Sequence, residues 1–86
     1  MITVTLVKFR RRPTAEEVDQ APKLIAQSSG KILSSYWTLG RFDAVVTVEW
    51  NDEKQAMGAW SKLMDVASTE TLLAVPRAEA IKLAGY

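Results

Sequence analysis

Apolar residues alternate with threonine or lysine from Met1 to Phe9 (MITVTLVKF), which puts Ile2, Val4 and Leu6 on one side and Thr3, Thr5 and Val7 on the other. A period of two with β-branched side chains predicts a strand. Arg10-Arg11-Arg12-Pro13 ends it. Thr14-Ala15-Glu16-Glu17 then reads as a capping box: the threonine accepts from the Glu17 amide while Glu17 reaches back. Val18, Ala21 and Ile25 follow at helical spacing toward Gly30, and Pro22 within that stripe predicts a kink or a restart.

Lys31–Thr38 (KILSSYWT) and Phe42–Trp50 (FDAVVTVEW) read as a second and a third strand, turned by Leu39-Gly40-Arg41. A two-residue turn at Gly40-Arg41 sets Leu39 opposite Phe42, Trp37 opposite Ala44 and Tyr36 opposite Val45. That register predicts two unlike faces. Leu33, Trp37, Leu39, Phe42, Ala44, Val46, Val48 and Trp50 should pack under helices. Ile32, Ser34, Tyr36, Thr38, Asp43, Val45, Thr47 and Glu49 should form a half-polar face. Asp52 and Gln55 can cap a second helix whose buried stripe is Ala56, Trp60, Leu63, Met64 and Ala67. Ser68–Val75 reads as a fourth strand, and Pro76 suits the first position of a short helix over Ala78–Leu83. The order β-α-β-β-α-β predicts one ferredoxin-like α+β domain over residues 1–86, with a four-stranded antiparallel sheet and a short C-terminal helix.

Composition narrows the function more than it identifies it. With no cysteine, a disulfide, thiolate metal site or cysteine nucleophile is impossible. With no histidine, the usual general base and the commonest metal and haem ligand are missing. No metal or cofactor is therefore expected. A net charge of +1 gives no electrostatic case for nucleic acid, and no apolar run suits a membrane span. A soluble cytoplasmic protein is the expectation. Hydrophobic residues make up 48% of the chain, more than one thin core needs, so a second buried surface is expected against a partner copy.

Tyr36-Trp37-Thr38-Leu39-Gly40-Arg41-Phe42-Asp43 resembles the signature of the GYD domain family, and Thr69-Glu70-Thr71-Leu72 with Pro76 and a short helix is similar to that family's ending. Phe42 stands where the family usually has tyrosine. The resemblance implies a dimeric α/β-barrel, with the open sheet faces of two subunits packed together, and supplies no biochemical role. More distantly, Gly40-Arg41-Phe42-Asp43 and the strand after it resemble the amino-acid-sensing effector domain of Lrp/AsnC-type regulators, here expected as a stand-alone domain.

Each candidate residue has a structural and a functional reading. Gly40 supplies the positive φ of a hairpin, or lets a ligand approach the backbone. Asp43 can accept from turn amides or from Arg41, or bind a ligand beside Arg41. Tyr36, Thr47 and Glu49 on the half-polar face suit either an interface hydrogen-bond network or a ligand pocket. Asp43 and Glu49 are about 20 Å apart at ~3.3 Å per residue, too far for an acid/base pair within one subunit. Trp37, Trp50 and Trp60 read as core, and Lys8–Arg12 as a solvated strand exit. The expected function is non-enzymatic small-molecule binding or regulation by a homodimer or larger even-numbered oligomer. The alternative is a cofactor-independent monooxygenase or isomerase using Tyr36 with a carboxylate.

Overall fold

The computed structural model describes residues 1–86. Its elements run β1 (Ile2–Phe9), α1 (Ala15–Gln27), β2 (Lys31–Trp37), β3 (Ala44–Glu49), α2 (Glu53–Ser61), β4 (Ala67–Ala74) and α3 (Arg77–Leu83). The four strands form one antiparallel sheet in the order β2-β3-β1-β4. This is the ferredoxin-like βαββαβ fold with an added C-terminal helix.

The starts of α1 and α2 follow the sequence chemistry, whereas α3 begins after Pro76 with no side-chain cap. Thr14 Oγ1 accepts from the Glu17 amide and Glu17 accepts from the Thr14 amide, which closes the capping box. Asp52 accepts from the Gln55 amide, and the Gln55 side chain accepts from Asn51. These contacts satisfy amides that the first helical turn leaves without partners. α1 runs through Pro22 without interruption, so the expected restart does not occur. α2 stops at Ser61, earlier than its apolar stripe implied. Leu63 still packs against the core, Met64 is exposed, and Ala67 opens β4.

One sheet face lies under α1 and α2. Its core gathers Val7, Ala44, Val46, Val48 and Ala67 from the strands and Trp50 just after β3, with Ile25, Ala56, Ala59 and Trp60 from the helices. On β1 the threonines turn inward: Thr3 is 1% exposed and Thr5 is fully buried. A buried hydroxyl is tolerated only when paired. Thr3 accepts from Trp50 Nε1 at 2.9 Å, and Thr5 shares a 3.0 Å hydrogen bond with Thr71. Gly30 makes room for the Trp50 indole, because a Cβ there would sit 2.6 Å from its ring.

Trp37 pairs with Ala44 and Tyr36 with Val45, as the hairpin register predicts. Further along β2 a bulge intervenes between Ser34 and Ile32, and past it the expected faces exchange. Ile32 joins the core side, while Leu33 is left 44% exposed. A bulge adds one residue and so reverses the alternation beyond it. Trp37 lies on the helix side but stays 63% exposed, because β2 is an edge strand. Leu39 sits fully exposed at the hairpin tip and not under the helices. α3 buries no residue. The radius of gyration is 13.7 Å, against about 12 Å for a compact chain of this length, and the molecule is elongated, 45 × 29 × 16 Å.

Candidate functional site

The β2–β3 hairpin holds most of the candidate residues. Its last backbone bond runs from the Thr38 amide to the Asp43 carbonyl, so four residues, Leu39 to Phe42, make the tip in place of a two-residue turn. Thr38 Oγ1 donates to the Phe42 carbonyl at 2.8 Å and braces that tip. Gly40 has φ +126°, a conformation that L side chains rarely adopt. The Arg41 guanidinium lies 5.2 Å from the centre of the Phe42 ring, within cation–π range.

Asp43 ties the hairpin to β1. Its amide donates to the Val7 carbonyl at 2.7 Å, and its Oδ2 accepts from the Phe9 amide at 2.9 Å. Lys8 Nζ lies 3.5 Å from Oδ1. The side chain thus serves Phe9 where the β1–β3 ladder has ended, a longer-range job than the turn amides or Arg41 the sequence suggested. The basic run is divided in the same way. Arg10 donates to the Met64 carbonyl, and Arg11 makes a two-pronged pair with Glu17. Hydrogen bonding from Arg11, with help from the Thr14 amide, lowers the Glu17 carboxyl to about 2.

Tyr36, Thr47 and Glu49 belong to the face turned away from α1 and α2. Tyr36 pairs with Val45, Thr47 with Ser34 and Val4, and Glu49 with Lys31 and Ile2. They share a face without converging on one point. Beside them β1 contributes Ile2, Val4 and Leu6, opposite Ala74, Leu72 and Glu70 of β4. This open face therefore has an apolar centre and a polar margin. The sequence showed the Ile2–Val4–Leu6 row without saying which way it faced.

The molecule has three hollows, none lined by Tyr36, Gly40, Arg41, Asp43, Thr47 or Glu49. The largest, about 680 Å³, is a groove between α2 and β4 bordered by Met57, Met64, Thr71 and Leu73. A second, about 200 Å³ and mostly apolar, lies between α1 and the sheet. The third is polar, between Ser28 and Asp52. There is no group of three or more acidic side chains able to hold a metal ion, and no helix is long and apolar enough to cross a membrane.

The GYD domain model matches residues 8–84, from the end of β1 through α3. The chain belongs to the GYD domain family. Within this GYD domain the β2–β3 hairpin is the segment in which Gly40 sets the turn and Asp43 fastens it to β1. Among solved structures, the crystal structure of FFRP-DM1 is similar in fold, with a TM-score of 0.54 and 22% identity over 87% of this chain and all of that one. No curated protein matches the chain.

Proposed function

We propose that this GYD domain is a non-enzymatic small-molecule-binding or regulatory module that works as a homodimer or larger even-numbered oligomer. Its subunits pair through the open sheet face, with Tyr36, Thr47 and Glu49 bordering a ligand space and Gly40, Arg41 and Asp43 at its hairpin end. The observation that carries this reading is the distribution of β1. Thr3 and Thr5 are buried under the helices, whereas Ile2, Val4 and Leu6 lie on a face that α1 and α2 leave uncovered. Burying hydroxyls while leaving a contiguous aliphatic row outside is costly unless that row is covered in the assembled protein. The fold shared with FFRP-DM1 is consistent with this reading and adds nothing about ligands.

No observation favours the enzyme reading. Asp43, diagonal to Tyr36 across the hairpin, already accepts from Phe9 and faces Lys8. The test is native mass spectrometry with a Leu6→Lys variant. The wild type should appear as an even-numbered oligomer retaining a small-molecule mass, and Leu6→Lys as a folded monomer without it. A monomeric wild type would end this reading.

A further inference from the structure

The geometry points to a second binding site inside each subunit: we propose that the hollow between α1 and the sheet takes a small, mainly apolar guest of single-ring size with one hydrogen-bond acceptor. Val18, Ala21 and Ile25 of α1 form its roof, Ala44 and Val46 its floor, and Trp60 part of its wall. All lie on the helix side of the sheet, so the site does not depend on subunit pairing across the open face.

The volume of about 200 Å³ exceeds the ~150 Å³ at which an apolar protein cavity accepts benzene. Water is a poor occupant. Thirteen of the sixteen lining residues are hydrophobic, and a buried water needs two or more polar partners. An apolar guest loses nothing of that kind and gains dispersion contacts with the roof, floor and wall.

Trp60, which borders both this hollow and the groove beside α2, carries the unpaired polar atom at its margin. It is 8% exposed, and its Nε1 is buried without a hydrogen-bond partner, whereas the other buried indole, Trp50, donates to Thr3. An unpaired buried donor is unfavourable, so a guest that brings an acceptor to the indole edge is preferred over a hydrocarbon of the same shape. A ketone or ether on a single ring fits that description.

Access is consistent with this reading. Ile25 is the one buried residue of α1, so the first turns of the helix are held mainly by the capping box and the Arg11–Glu17 pair. At the edge, Trp37 rests tilted on Phe9 with ring centres 5.2 Å apart and is 63% exposed. Both side chains line the hollow.

The experiment titrates the native protein with acetophenone and with ethylbenzene, following the Trp60 indole N–H and the Ala21 methyl by NMR. Acetophenone should move both signals and bind about 2–10-fold more tightly than ethylbenzene. Trp60→Phe should abolish that preference while ethylbenzene still binds. Ala21→Leu, which fills the hollow from a helix position, should abolish both, and it decides the matter if Trp60→Phe does not fold. No response to either probe, equal affinities, or undiminished binding in Ala21→Leu would overturn the proposal.

Discussion

Replacing Asp43 separates its structural work from any ligand role. Oδ2 accepts the Phe9 amide at 2.9 Å, a hydrogen bond to a charged acceptor, which contributes about 1.5–3 kcal/mol when the group is buried. The Asp43 side chain is 31% exposed, so solvent screening points to the lower part of that range. The Lys8 pair adds little, because Lys8 is 53% exposed and 3.5 Å away. Asp43→Ala should therefore cost about 1.5–2 kcal/mol. Asp43→Asn keeps an oxygen acceptor without its charge and should cost roughly 0.5–1 kcal/mol. At about 4–8 °C per kcal/mol for a domain of this size, the Tm should fall by about 6–16 °C for alanine and about 2–8 °C for asparagine. Urea and thermal unfolding by circular dichroism, at one fixed protein concentration, give these values, since any self-association would make them concentration-dependent. Hydrogen exchange at the Phe9 amide gives the local readout, and its protection should drop most in Asp43→Ala. If alanine stays within about 0.5 kcal/mol of wild type with Phe9 still protected, the clamp is not what Asp43 does.

Thr3→Val should cost about 1–2 kcal/mol by stranding the Trp50 indole donor, and almost nothing in a Trp50→Phe background; equal costs in both, by urea denaturation, would refute the pairing. Gly30→Ala should lose about 1–3 kcal/mol, because the new methyl meets the Trp50 ring and Ile25 inside van der Waals contact, and a neutral result would show that the indole can shift freely. The Glu17 carboxyl lies lower in the folded chain, at about 2, than its ordinary 4.5. Its contribution to α1 is therefore complete above about 4.5 and disappears as pH falls through about 2. A carboxyl-carbon NMR titration should find that low midpoint and move it upward in salt, whereas a midpoint in the ordinary glutamate range would contradict the paired geometry.

Short-range chemistry was legible in the sequence. Thr14 with Glu17 and Asp52 with Gln55 capped the helices as read, because a cap involves only residues three or four apart. The hairpin register held at Tyr36 and Trp37 because strand alternation constrains it. Long-range partners were not legible. Asp43 joins Phe9 across 34 residues, and nothing near position 43 announces that donor. The Leu33 bulge reversed two faces because KILSS carries no alternation strong enough to fix its phase. Trp37 was expected in the core because it is large and apolar, but an edge position leaves too little protein to cover it. Which side of β1 turned inward depended on partners for the threonine hydroxyls, Trp50 for Thr3 and Thr71 for Thr5, and both come from distant segments.

The two outer strands of the sheet differ in a way that decides how it can grow. β2 is broken by its bulge, which twists and interrupts the row of backbone groups that another strand would have to match. β4 has no such interruption: it pairs with β1 in unbroken register from Ala67 to Ala74, and Glu70 is its one charged residue. Its outer amides and carbonyls form an uninterrupted row that a further strand could match. Extension of this sheet, whether by orderly addition of a neighbouring chain or by unwanted polymerisation, is therefore favoured at the β4 edge, where Glu70 is the one charge that opposes it.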